Sequence, residues 1–151
     1  MAEQFQTSPN ITEQRMNLNN IIKISVIPCQ NITRFARLSR TTAACTFQNS
    51  RAIVFKAPAL LTVADKEEDG CRVYQTKLVF KTCEDWVLGL RHCAFLCETV
   101  SGVQYLVGTG DRPFPVIFQV QTHPDSFADN QLTEVSVSYS TAEMLPVLIN
   151  T

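Results

Sequence analysis

Residues 102–121, Gly-Val-Gln-Tyr-Leu-Val-Gly-Thr-Gly-Asp-Arg-Pro-Phe-Pro-Val-Ile-Phe-Gln-Val-Gln, hold three of the chain's five glycines and two of its seven prolines. Val103, Tyr105 and Val107 alternate with Gln104 and Leu106, and Val116, Phe118 and Val120 alternate with Ile117, Gln119 and Gln121. Period-2 alternation predicts two strands. Between them, Gly108 and Gly110 admit positive φ without steric cost, while Pro113 and Pro115 fix φ and remove backbone donors, so the connection is a shaped turn. This predicts a β-rich chain whose sheet folds back here. The turn sets the register of the two strands and aims Asp111 and Arg112 outward, and Gly102 closes an earlier turn with Val100 and Ser101.

The same alternation recurs elsewhere. Arg72, Tyr74, Thr76, Leu78, Phe80 and Thr82 share one face of a long strand, with Gln75, Lys77 and Lys81 on the other. Leu132 to Thr141 alternates most cleanly, Thr133, Val135, Val137 and Tyr139 against Glu134, Ser136, Ser138 and Ser140. The β-branched run Ile21, Ile22, Ile24, Val26, Ile27 reads as a strand closed by Pro28. Residues 41–47 and 51–63 read as two more, with Pro58 marking a bend or an edge, and residues 92–99 as another. The acidic run Asp65-Lys66-Glu67-Glu68-Asp69-Gly70 separates two apolar segments and reads as a solvated hairpin tip. Thr82 followed by Asp85 resembles a capping box and predicts a short helix over 83–90. Residues 31–40 are ambiguous between a helical turn and a loop. In either form Arg34, Arg37 and Arg40, spaced by three, make a positive cluster.

At 151 residues the chain suffices for one domain that buries roughly 70% of its unfolded surface. Apolar residues at 45% and charged ones at 18% fit a folded subunit with little repulsion between copies. Residues 1–63 carry a formal charge of +5 and residues 64–151 one of −6, a dipole suited to head-to-tail stacking unless the fold mixes the two signs. Residues 1–19 are polar and cannot bury enough surface alone; they read as an arm, disordered or ordered against a neighbour. The expected architecture is therefore mainly β, one antiparallel β-sandwich or barrel-like domain over residues 20–151 with one short helix and an extended N-terminal arm. No run approaches the roughly 18 apolar residues of a membrane span, and no membrane contact is expected.

No catalytic set appears. His92 falls within an apolar strand and His123 before Pro124 in a polar loop, and no Gly-x-Ser-x-Gly elbow supports a nucleophile. Cys93 and Cys97 beside His92 lack the paired spacing of a zinc site and read as small core residues. The six cysteines, with no hydrophobic leader after Met1, are expected as free and mostly buried thiols. The Asn-Ile-Thr triplets at Asn10 and Asn31 match the glycosylation pattern, but the same lack of a leader takes away its context. Gly108-Thr-Gly-Asp-Arg lacks the Gly-Lys-Ser/Thr ending of a phosphate loop and sits between strands. No metal and no cofactor are expected. A pI near 6.1 argues against a dedicated nucleic-acid reader, which leaves Arg34, Arg37 and Arg40 as a local patch for non-specific contact with packaged DNA.

The segment Val103-Gln-Tyr-Leu-Val-Gly-Thr, then Pro113-Phe-Pro-Val, then a strand, a polar loop and the alternating strand 133–141, resembles small structural proteins of tailed phages and prophages of Bacteroides-type bacteria. In them an aromatic-Leu-Val/Ile-Gly-Ser/Thr strand end leads through a Pro-containing turn to paired strands. The likeness covers roughly residues 90–145, and Tyr105 stands where that family has Trp. The resemblance implies a virion subunit at the head-to-tail junction, neck or tail, working as a homo-oligomeric ring beside other virion proteins. The candidate interface is then Arg34, Arg37 and Arg40, the acidic Asp65, Glu67, Glu68 and Asp69, Asp111 with Arg112, and the arm. A monomeric binding or adaptor module is the alternative reading, and an enzyme with an unrecognised site the third.

Overall fold

The computed structural model describes residues 13–18, 20–87, 89–122 and 132–149. They form twelve strands: β1 (Glu13–Leu18), β2 (Ile21–Pro28), β3 (Ile32–Arg37), β4 (Thr42–Phe47), β5 (Arg51–Ile53), β6 (Phe55–Glu68), β7 (Cys71–Thr82), β8 (Cys93–Thr99), β9 (Gln104–Val107), β10 (Val116–Thr122), β11 (Leu132–Thr141) and β12 (Val147–Leu148). These pair into a five-stranded sheet, β1-β6-β7-β11-β10, and a seven-stranded sheet, β3-β4-β12-β9-β8-β2-β5. The two pack as a sandwich, and neither closes into a barrel.

The sandwich follows from the alternation. β7 buries Tyr74, Thr76, Leu78, Phe80 and Thr82, and β11 buries Thr133, Val135, Val137 and Tyr139. Their antiparallel register sets Val137 beside Leu78 and Val135 beside Phe80, and β6 sets Leu61 on the other side of Leu78. One-residue slips would turn these side chains to water, so burial fixes the register. Each such side chain contributes about 1.5–3 kcal/mol on leaving water. Ile24, Phe95, Cys97 and Val107 of the second sheet meet them in the core.

The seven-stranded sheet is buried on both faces at its centre. Ile27, Cys29, Ala94 and Leu106 form a second cluster, covered by Phe35, Phe47, Phe114 and Leu148. That double burial is why Cys93-Ala94-Phe95-Leu96-Cys97 is a continuous apolar run without alternation. The short β12 completes this sheet, running parallel to β4 and antiparallel to β9. Val147 N–H donates to the Thr41 carbonyl at 2.8 Å.

Several expectations are corrected. The hairpin turn is Asp69-Gly70 alone, with φ of 51° and 79°, the pair of left-handed residues that a two-residue hairpin requires. Asp65, Glu67 and Glu68 therefore lie in β6 rather than in the tip. Residues 31–40 are neither helical turn nor plain loop, since β3 follows a 3-10 turn at Cys29–Asn31. The helix over 83–90 is a single 3-10 turn, Asp85–Val87. Thr82 Oγ1 accepts from Glu84 N–H at 3.1 Å and donates to the Val54 carbonyl at 2.6 Å, and Gly89 at φ 83° reverses the chain soon after the turn. The Arg51 guanidinium lies 4.0 Å over the Trp86 ring and holds that turn against β5. Part of the polar arm, β1, pairs with the chain's own β6, Glu13 opposite Lys66 and Leu18 opposite Leu61; residues 1–12 lie outside the described residues, as does the polar loop 123–131 with His123.

The connection at 108–115 also differs. β9 lies in the seven-stranded sheet and β10 in the five-stranded one, so this segment crosses between sheets and does not set the register of a hairpin. Gly108 is buried at φ 105°, and a Cβ there would stand 2.8 Å from Pro115 Cγ and 3.3 Å from Ala94 Cα. The chain passes so close to β8 at this crossing that only hydrogen fits.

Candidate interaction surfaces

A sheet ends in strands whose outer N–H and C=O groups lack a ladder, and folded proteins blunt such edges with charge, proline, bulges or shortness. Three of the four edges here carry such devices. β5 is three residues long; β3 carries Arg34 and Arg37 and a register irregularity between Ile32 and Arg34; β1 carries Glu13 and Arg15. β10, Val-Ile-Phe-Gln-Val-Gln-Thr, has no charge or proline, and its seven pairs with β11 run without a shift. Among the described residues no backbone hydrogen bond reaches its outer side.

The outer face at β10 is apolar as well. Val116 is 52% exposed and Phe118 60%. Their partners on β11 are Ser138 and Ser136, too short to cover them. The row continues across the sheet from Phe118 through Ser136 and Val79 to Leu60, itself 43% exposed. On the inner side β10 is pinned. Gln119 Nε2 donates to the Val87 carbonyl at 2.6 Å and its Oε1 accepts from Gly89 N–H at 3.1 Å, while Ile117 packs on the core. Among the described residues the edge is thus unpaired, and it is held straight, as a docking strand needs to be.

Beside the start of β10 lies an open cleft. Its first part, about 340 Å³, runs between residues 90–92 and 114–117, and its second, about 370 Å³, between Arg91, His92 and Phe114 on one side and Pro28, Gln30 and Gly110 on the other. His92 does not sit inside β8. It precedes the strand, exposed, with φ 53°, and its ring lies 4.6 Å from that of Phe114. Its carbonyl accepts from Cys29 N–H at 2.9 Å, which fixes the turn. Arg91 has no acidic partner among the described residues, and no Asp or Glu lines either part of the cleft.

The residues singled out from the sequence are scattered over the molecule. Arg34 and Arg37 are three apart on a strand and so face opposite ways. Arg37 is held by the Glu143 carboxylate and donates from Nη1 to the Arg40 carbonyl at 3.2 Å, and Arg40 Nη2 donates to the Tyr74 hydroxyl at 3.3 Å. This links the turn after β3 to β7, and the Arg37–Glu143 pair joins the basic half of the chain to the acidic half. Only Arg34 of the three lacks a partner among the described residues. Asp65 is paired with Arg72 Nη1 at 2.6 Å, whereas Glu67 and Asp69 are exposed. Asp111 and Arg112 are exposed on the crossover, where Asp111 N–H donates to Thr109 Oγ1 at 3.1 Å. Gly102 closes its turn by donating to the Thr99 carbonyl at 3.0 Å. Pro113 is exposed, Pro115 is buried against Gly108, and Gly110 passes the Cys29 and Ile32 carbonyls. The sequence reading found both faces of β10 but missed its edge, and it missed the stack of His92 on Phe114. No local pattern signals either feature, because both depend on which elements become neighbours.

All six cysteines are free, as expected; Cys29, Cys93 and Cys97 are buried and Cys45 is half-buried, while Cys71 and Cys83 are exposed. Burial pushes Cys97 up to about 12, and burial with the nearby Cys93 pushes Cys29 up to about 11, from an ordinary value of 9.0. Above pH 9 the unfolded chain loses these protons and the folded one keeps them, so stability is full below that pH and falls as pH rises through about 11 to 12. Each such thiol contributes a slope of up to about 1.4 kcal/mol per pH unit. We expect a thiol reagent at pH 8 to label two residues, Cys71 and Cys83, quickly and the buried ones only on unfolding; fast labelling of Cys97 in the folded protein would contradict the packing. Among the described residues no group of His, Cys, Asp and Glu could hold a metal. No family model, curated protein or solved structure matches the chain.

Proposed function

We propose that the protein is a structural subunit that acts through self-assembly and partner contacts, without catalysis, and that it belongs to the neck, head-tail connector or tail of a tailed-phage virion. The observation that supports assembly is the β10 edge, seven residues without charge, proline or bulge beside exposed Val116 and Phe118. An edge of this kind on a permanent monomer would invite uncontrolled pairing, so a specific neighbour is its physical complement. The virion setting comes from the resemblance of roughly residues 90–145 alone. In that setting the copies form a ring, and contact with packaged DNA falls to Arg34 and Arg112, the candidate arginines without partners among the described residues.

Sedimentation velocity on the full chain over a hundredfold concentration range tests the assembly. A species of several copies, growing with concentration, is expected. A strict monomer throughout would favour the adaptor reading, in which β10 receives a strand from a different protein. Imaging of purified particles with an antibody to the chain then tests the virion setting, and its absence from them would remove that part of the reading.

A further inference from the structure

We infer that the β10 edge receives β10 of a second copy, paired antiparallel about a two-fold axis at Phe118, so that two five-stranded sheets join edge to edge into one continuous sheet. This rests on the assembly reading and names the partner of that same edge.

The other edges of the chain leave β10 as its own match. β5 has three residues, and β3 brings Arg34, Arg37 and a shift in register. β1 brings Glu13 and Arg15, and its level in the sheet also counts against it. Followed across β6 to β7, Asn17 and Leu18 lie level with Lys77 and Leu78; followed across β11 to β7, so do Val116 and Ile117. β1 thus ends where β10 begins, and copies translated side by side set only Asn17 and Leu18 against β10. A two-fold axis removes that stagger, because it lays β10 along β10.

Side chains choose the register. Residues directly opposed in an antiparallel pair share a face, and an axis through a residue pairs odd positions with odd and even with even, so the outer faces of the two copies stay together. Centred on Phe118, the axis sets Val116 opposite Val120 and Ile117 opposite Gln119. The two Phe118 rings, each 60% exposed in the single chain, become cross-strand neighbours, the aromatic pairing that a sheet face favours. The row from Leu60 through Val79 and Ser136 to Phe118 then meets its counterpart end to end, and the two form one strip. β10 carries no charge, so no like charges oppose each other along it. An isologous contact of this kind closes at two copies, and a larger ring is then built from dimers.

Cysteine pairing tests it. Directly opposed Cα atoms stand about 4.5–5.5 Å apart, within disulfide reach, whereas the two copies of Val116 lie four positions apart along the strand, about 13 Å. In a Cys71→Ser/Cys83→Ser background, which removes the exposed thiols, Val116→Cys and Val120→Cys proteins are mixed and treated with oxidised glutathione. The mixture is expected to form covalent dimer about tenfold faster than either protein alone, and the background protein to form none. Phe118→Cys lies on the axis and is expected to cross-link by itself, which serves if the change at Val120 disturbs the strand. A mixture no faster than its components, with Phe118→Cys unlinked while the wild type sediments as several copies, overturns the β10 pair and leaves the assembly reading in place. Val116→Cys linking alone as fast as the mixture overturns the axis at Phe118. A wild-type protein that is monomeric at all concentrations, with no cross-link in any variant, overturns both readings.

Discussion

If the copies associate through β10 as proposed, replacing Phe118 by lysine is expected to dissociate them and leave the fold intact. The ring is 60% exposed in the single chain and its backbone pairs with Ser136, so the substitution removes no core contact. A surface change of this type shifts stability by about 0.5 kcal/mol at most. At an interface a large aromatic anchor is worth about 2–4 kcal/mol, which corresponds to roughly 30- to 1,000-fold in affinity. Lysine also places a charge on the strand, one of the means by which natural sheet edges resist pairing. Sedimentation velocity reads the loss, and the urea midpoint reads the fold. If Phe118→Lys associates as wild type does, β10 and its outer face are not the contact surface. If it associates less but also unfolds earlier by several kcal/mol, Phe118 is a structural residue and the apolar row from Phe118 to Leu60 needs another account.

Gly108→Ala should be among the most destabilising single-methyl changes available to this chain. Two costs coincide. The residue sits at φ 105°, where a side chain is strained, and its Cβ would stand 2.8 Å from Pro115 Cγ and 3.3 Å from the Ala94 backbone. Backbone strain of about 1–2 kcal/mol and overpacking of about 1–3 kcal/mol together predict a loss of about 2–5 kcal/mol, a large share of the total stability of a domain this size. The two costs are separable. In a Pro115→Ala background the clash with the pyrrolidine ring disappears and only the strain and the Ala94 contact remain, so Gly108→Ala should cost less there. Equilibrium urea unfolding of the four proteins gives the coupling. A loss below about 0.5 kcal/mol, or equal losses in the two backgrounds, would show that the crossover relaxes freely and does not lock the two sheets together. Gly102→Ala makes a useful contrast: at φ 90° it shares the strain, but nothing lies within 4 Å of its added methyl.

Which strands form was legible in the residues, because period-2 burial is a local pattern. Leu78 and Phe80 on β7 and Val135 and Val137 on β11 occupy the faces their alternation assigns them. Where local signals compete, tertiary contacts decide between them. Thr82 and Asp85 carry a helix-start signal, yet the Thr82 hydroxyl is engaged with Val54 on a distant strand and Gly89 reverses the chain, so one 3-10 turn is all that forms. The spacing of Arg34, Arg37 and Arg40 predicts a positive cluster on either a helical turn or a loop, and the strand β3 turns the first two to opposite faces. His92 looked like part of an apolar strand because its neighbours are apolar; the double burial of β8 made them so, and the histidine itself stands outside in a left-handed turn.

The sequence by itself determined a mainly β domain, the inward and outward residues of its long strands, and the turns at Gly70 and Gly102, since each depends on a few consecutive side chains and the φ they allow. The tertiary structure alone decided the rest. It placed β9 and β10 in different sheets, made β10 an outer strand, inserted β12 beside β4, and brought Arg91 and His92 against Phe114. Strand order and edges arise from contacts between residues far apart in the chain, and the alternation of a strand is the same whether it has one neighbour or two. That is why Val116 and Phe118 could be assigned to one face from the sequence, while their standing as an open edge waited on the fold.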